Sequence, residues 1–124
     1  MRNERQAPGD LRVRTKQFAL RIISLSTTLG RDDTISVLTR QLLRSGTSVG
    51  AQYREACRAR SSAEFVSKIE SATQELDETA YWIELLTESG LVEPTRLTEL
   101  QQEVEELLAI FVASARTAKA GQAK

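Results

Sequence analysis

The chain has 124 residues, enough for one domain that buries about 65–70% of its unfolded surface without disulfides or metals. It has no histidine and a single cysteine, Cys57, which excludes an internal disulfide framework and every histidine-dependent metal or acid–base site. Net charge is zero, but residues 1–60 carry 12 basic and 5 acidic residues while residues 61–124 carry 5 and 12, so the two halves have opposite sign.

The first nine residues, ending in Pro8-Gly9, lack the apolar stretch of a signal peptide and read as a flexible tail. No apolar run is long enough to span a membrane. With one unpaired cysteine, the expected compartment is the cytoplasm.

Helix 1 is predicted from Leu11 to Leu29. Leu11, Thr15, Phe18, Ile22, Leu25 and Leu29 alternate by four and three and form one apolar stripe. Asp10 is placed to cap it, and Gly30 to stop it. Arg12, Arg14, Lys16 and Arg21 lie off the stripe.

Asp32 or Asp33 caps the next helix. Its stripe opens with Ile35, Leu38 and Leu42 and meets a cluster of small residues, Ser45-Gly-Thr-Ser-Val-Gly-Ala51. Local propensity reads that cluster as a loop, since each glycine costs a helix about 1 kcal/mol relative to alanine. The period nevertheless survives through Gly46, Val49, Tyr53 and Ala56. The prediction is a continuous helix whose glycines admit a neighbouring backbone, with Ser45 and Ser48 bonding back to their own helix.

Ser61-x-x-Glu64 ahead of an apolar run is a capping-box pattern, so the chain is predicted to break near Arg60. In helix 3, Phe65, Ile69, Ala72, Leu76, Thr79, Ile83 and Leu86 keep the alternation. Glu70, Asp77 and Glu84 recur every seven residues on its outer face. Gly90 ends it. Helix 4 begins near Glu93-Pro94 and carries Leu97, Leu100, Val104, Leu107, Phe111 and Ser114 as its stripe. Leu108, Ile110 and Val112 add apolar surface beyond one seam. The expected fold is all-α, an antiparallel up-down-up-down four-helix bundle over residues 10–119, with tails at 1–9 and 120–124.

Chemistry is sparse. The ferritin-like Glu-x-x-His pattern is absent. Glu75 and Glu78 share a helical face that Glu55 could approach, but Arg40, Arg44 and Arg54 are available to pair with them. Arg44 is expected to form a buried polar cluster with Glu75 or Glu78, and with Glu55. Cys57 has no histidine partner and reads as structural. The glycine-containing stretch lacks the Gly-Lys-Ser/Thr of a phosphate loop. No cofactor, metal or small-molecule substrate is expected.

Arg12, Arg14, Lys16, Arg21, Arg54, Arg58 and Arg60 could form a basic surface for RNA, DNA or an acidic protein face. The three phenylalanines fall on core stripes, and Tyr53 is expected in the core as well. That leaves Tyr81 and Trp82 as exposed aromatics, about 100° apart around helix 3 and unable to be core together. With the surplus apolar residues of helix 4, they point to a protein–protein interface.

Asp10-Leu-Arg-Val-Arg-Thr, Gln41-Leu-Leu-Arg-Ser-Gly-Thr-Ser-Val-Gly-Ala, Tyr53-Arg-Glu-Ala, Ser61-x-x-Glu-Phe, Glu75-x-x-Glu-Thr and Tyr81-Trp82 resemble the bacterial four helix bundle protein family. Its members are also called ribosomal RNA intervening-sequence proteins. The resemblance runs from about Asp10 to Val112. It implies a small cytosolic bundle without enzymatic activity that assembles into a homo-oligomer, most characteristically a pentameric ring. A more distant resemblance is to the accessory protein of diversity-generating retroelements, a strongly basic ring that binds nucleic acid and a reverse transcriptase. The leading expectation is therefore a non-enzymatic oligomeric scaffold or adaptor. A nucleic-acid or ribonucleoprotein-binding accessory protein is the alternative.

Overall fold

The computed structural model of the protein describes residues 8–122. It consists of α1 (Pro8–Ser26), α2 (Asp33–Cys57), α3 (Ser62–Glu88), a 3₁₀ turn (Pro94–Arg96) and α4 (Thr98–Gln122). Segments 1–7 and 123–124, which belong to the two predicted tails, lie outside the described residues. The four helices pack as an all-α bundle with no strand among the described residues.

Neighbouring helices run antiparallel. Across α2 and α3, Ser45 meets Thr79 while Glu55 meets Lys68. Across α1 and α4, Arg14 meets Glu103 while Thr28, just past the other end of α1, meets Arg96. The α2–α3 seam is the most extensive, and the α1–α4 seam is the thinnest of the four between neighbours.

The helix boundaries follow local chemistry. Pro8, with its fixed φ, opens α1, so Asp10 falls inside the first turn rather than capping it. Asp32 caps α2 by accepting from the amides of Thr34 (2.8 Å) and Ile35 (3.3 Å). Ser61 caps α3 by accepting from the Glu64 amide (3.1 Å), and Glu64 reaches back to the Arg60 amide (3.2 Å). That is a capping box displaced by one residue. Gly90, at φ +76°, ends α3 where a side chain would be strained. Leu29, predicted as the end of helix 1, is buried in the turn after it. The α4 helix starts after the 3₁₀ turn and continues to Gln122, past Lys119 where the sequence placed the end of the bundle.

The predicted stripes meet at the centre. Phe18 and Ile22 of α1, Leu42 and Val49 of α2, Ile69, Leu76 and Ile83 of α3, and Val104, Leu107 and Phe111 of α4 form its most enclosed part. Tyr53 is buried and stacks on Phe111 with ring centres 5.7 Å apart.

The small-residue stretch is helical throughout. A Cβ on Gly46 would collide with the Cδ methyl of Ile22, and one on Gly50 would stand 3.2 Å from the Thr15 hydroxyl. The two glycines thus let α1 approach the backbone of α2. On the other flank Ser45 faces α3, and its hydroxyl shares a 2.8 Å hydrogen bond with that of Thr79 inside the core. Ser48 donates to the Arg44 carbonyl at 2.8 Å.

Candidate functional site

The Arg44 cluster forms, but on the surface. The Arg44 guanidinium pairs with Glu78 and reaches Glu75 at 3.5 Å; Trp82 donates its indole N–H to the same Glu78 oxygen at 3.1 Å. Half of the Arg44 side chain is exposed. Burial fails because Ser45 and Thr79 occupy the centre of the α2–α3 seam. Arg44, one position earlier, is turned about 100° toward the edge. Glu55 does not join the cluster: about three turns further down α2, it accepts from Lys68 at 2.7 Å. The bond from Arg44 holds the Glu78 carboxyl below its ordinary range, and Glu78 in turn raises Arg44.

Arg14 leaves the predicted basic surface. It lies on the α4 side of α1, where Nε and Nη2 grip the two oxygens of Glu103 at 2.8 and 2.9 Å, and Nη2 also meets Glu106 at 2.6 Å. The hydrogen bond to Glu103 is the largest cause raising its pKa. Nothing in the spacing of α1 marked Arg14 apart from Arg12 or Lys16. Its partner was visible only once α4 was placed.

The other predicted cations behave differently. Arg12, Lys16, Arg21, Arg58 and Arg60 are exposed and Arg54 is half-buried, and none forms an ion pair among the described residues. Arg40 joins them from α2. Arg40 lines a shallow groove with Ser26, Thr27 and Leu29, which places it on the α1 side of α2. Arg40, Thr47 and Arg54 recur every seven residues, so one outward strip of α2 carries all three.

The outer face of α3 is the counterpart. Glu70, Asp77 and Glu84 are exposed, seven residues apart, and on the α4 side, as the 2.6 Å pair between Glu70 and Lys119 shows. Asp77 and Glu84 have no cationic partner among the described residues. Tyr81 stands between them, 53% exposed. Trp82 is half-buried toward α2, with its ring 5.2 Å from that of Tyr81 and tilted 57° to it. The apolar surface also includes Val13, Leu20 and Ile23 on α1 and Val112 on α4.

At the end of the bundle where α2 turns into α3, Cys57 lies exposed beside an open groove of about 630 Å³ lined by Leu11, Tyr53, Arg60, Phe65 and Ser114. Burial raises the Tyr53 hydroxyl pKa, and a hydrogen bond with Cys57 adds to it. Among the described residues no three His, Cys, Asp or Glu side chains cluster as metal ligands. Among them, too, no helix is long and apolar enough to cross a membrane.

Fold and surface together define a four-helix bundle whose conspicuous features are complementary outer faces. The chain belongs to the 23S rRNA-intervening sequence protein family, whose family model matches residues 10–113. It is similar to a crystal structure of a protein of unknown function from the S23 ribosomal protein family of Bacteroides thetaiotaomicron VPI-5482. The two are 31% identical, with a TM-score of 0.81, over 88% of this chain and 97% of that one. No curated protein matches the chain.

Proposed function

We propose that the protein is a non-enzymatic, self-assembling scaffold or adaptor of the cytoplasm. The observation that carries this reading is the division of its charges. Every ion pair among the described side chains lies on the α1–α4, α2–α3 or α3–α4 side of the bundle. Among the described residues, the outer face of α1 and α2 keeps Arg12, Lys16, Arg40 and Arg54 without acidic partners, and the outer face of α3 keeps Asp77 and Glu84 without basic ones. A basic face and an acidic face on opposite sides of one molecule favour head-to-tail contacts between copies, which close into rings when the rotation allows. Five members is the ring size that the family resemblance implies. Light scattering across micromolar concentrations at moderate salt tests the reading: a multiple of the 13.8 kDa chain mass supports it, and a monomer throughout overturns it.

A second reading, nucleic-acid binding, is favoured by the same unpaired cations, which continue through Arg58 and Arg60 at the α2–α3 turn. Against it, the one well-exposed aromatic, Tyr81, sits among acids rather than on the basic face, so bases would find no stacking platform there. RNA affinity that falls steeply with salt supports this reading, and no binding at low salt removes it.

A further inference from the structure

We infer that the copies join through one strip-to-strip contact: Arg40, Thr47 and Arg54 on α2 of one copy against Glu84, Asp77 and Glu70 on α3 of the next. Tyr81 of the second copy seats over Leu43 and Ile23 of the first. The inference rests on the self-assembly reading and specifies its partner surface, a second copy of this chain.

Equal height along the bundle selects these partners. A ring whose axis runs parallel to the helices rotates each copy without sliding it, so residues that meet across copies stand at the same level. The Ser45–Thr79 hydrogen bond marks one such level on α2 and α3. Five residues along each helix toward the α1–α2 turn, the level holds Arg40 and Glu84. Nine residues the other way it holds Arg54 and Glu70, and two residues that way it holds Thr47 and Asp77. The opposite charges thus coincide at both ends of a strip about 21 Å long. The helices would run antiparallel, as α2 and α3 already do within the chain.

These groups cannot pair within one copy. Arg40 faces the groove beside α1, whereas Glu70 is tied to Lys119 of α4, so the strips flank the α2–α3 seam on opposite sides. The apolar residues fit the same alignment. Tyr81 is level with Leu43, two residues from the Ser45–Thr79 bond. Ile23, 43% exposed, follows Ile22, which packs at Gly46 three residues along α2 from Leu43. A third pair follows on the remaining two helices. The Arg14–Glu103 pair marks a common level of α1 and α4, and two residues beyond it stand Arg12 and Glu105, both exposed and without ion-pair partners among the described residues.

Two reversal variants test the contact, because each disables one face and leaves the other intact. Arg40→Glu with Arg54→Glu, or Glu70→Arg with Glu84→Arg, is expected to give a folded monomer at concentrations where the parent chain is assembled. Mixed together, the two variants are expected to assemble again in complexes that contain both, since the intact basic face of one meets the intact acidic face of the other and the two reversed faces are also opposite in charge. All four reversals in one chain are expected to restore assembly. Tyr81→Ser, which leaves the charge of both strips unchanged, is expected to lose assembly too and covers the case in which a reversal disturbs folding, read by circular dichroism. A parent chain that is monomeric overturns both the scaffold reading and this contact. An assembled parent with variants of unchanged mass leaves the scaffold reading standing and overturns the contact, as do monomeric variants that fail to pair when mixed.

Discussion

The Cδ methyl of Ile22 occupies the space that a Cβ on Gly46 would need, while its Cγ1 and Cγ2 stand 3.5 and 3.7 Å from that position, at ordinary contact distance. Only the outermost carbon therefore conflicts with a side chain at 46, and the conflict can be isolated. Gly46→Ala gains about 1 kcal/mol of helix propensity but overpacks a fully buried site at a cost of about 1–3 kcal/mol, so a net loss is expected. Ile22→Val alone costs roughly 0.5–1.5 kcal/mol. In the Ile22→Val background, Gly46→Ala has room and becomes stabilising. Urea melts of the four proteins measure the coupling; strict additivity would show that the two helices do not meet there as described.

The Ser45–Thr79 bond makes a second prediction. Both side chains are fully buried, and the Thr79 hydroxyl also lies within hydrogen-bond distance, 2.8 Å, of the Glu75 carbonyl. In Thr79→Val, Ser45 keeps only a 3.4 Å contact to the Leu42 carbonyl, so a loss of about 1–2 kcal/mol is expected. Ser45→Ala combined with Thr79→Val removes both partners and should lose less than the two single changes added together. A double variant with the full sum of losses would mean the hydroxyls act independently.

The fold was legible because periodicity reports burial directly. Helix 2 was predicted straight through Gly46 and Gly50 since the apolar spacing outlasted the weak local propensity, and both glycines are in fact buried against α1. The same logic failed for charges. Period alone places a residue around one helix and says nothing of what stands opposite. The sequence points to Glu75 or Glu78 as partners of Arg44, and the structure pairs it with both but at the surface and without Glu55, because one-residue offsets from the seam decide burial. Arg14 falls among the basic-surface residues in the sequence because Glu103 lies 89 positions away. Glu70, Asp77 and Glu84 were visible as a strip from the sequence, whereas their level match with Arg40 and Arg54 needed the Ser45–Thr79 contact as a ruler.

The thin α1–α4 seam depends on Arg14. Its side chain and that of Glu103 are 20% and 15% exposed, between the surface and fully buried cases. Removing the guanidinium leaves a largely enclosed carboxylate, so Arg14→Ala should cost about 1–3 kcal/mol. Arg14→Lys should recover only part of this, because an ammonium cannot hold both oxygens of Glu103 in the planar two-bond geometry. Hydrogen exchange locates the effect: α1 amides should lose protection more than those of α3. Equal loss in both helices would mean that the pair stabilises the whole bundle without specifically fastening this seam.

Glu78 supplies a pH signature with a built-in reporter. Trp82 is the one tryptophan of the chain, and its indole N–H bonds the carboxylate that Arg44 holds ionised. Because the folded pKa lies below the unfolded value of about 4.3, the pair's contribution is fully present above that pH. It is lost as pH falls through the unfolded and then the folded value. With Arg44 half exposed, the contribution is expected to stay under about 1 kcal/mol, so global melting will register it weakly. Trp82 emission is more direct. Protonating Glu78 weakens the indole's acceptor, so the emission of the folded protein should titrate with a midpoint below that of an ordinary glutamate. Arg44→Met should move that midpoint upward, and Glu78→Gln should abolish the titration while the protein stays folded. Emission in Glu78→Gln that titrates like the parent chain would assign the change to another carboxylate and remove Glu78 from this role.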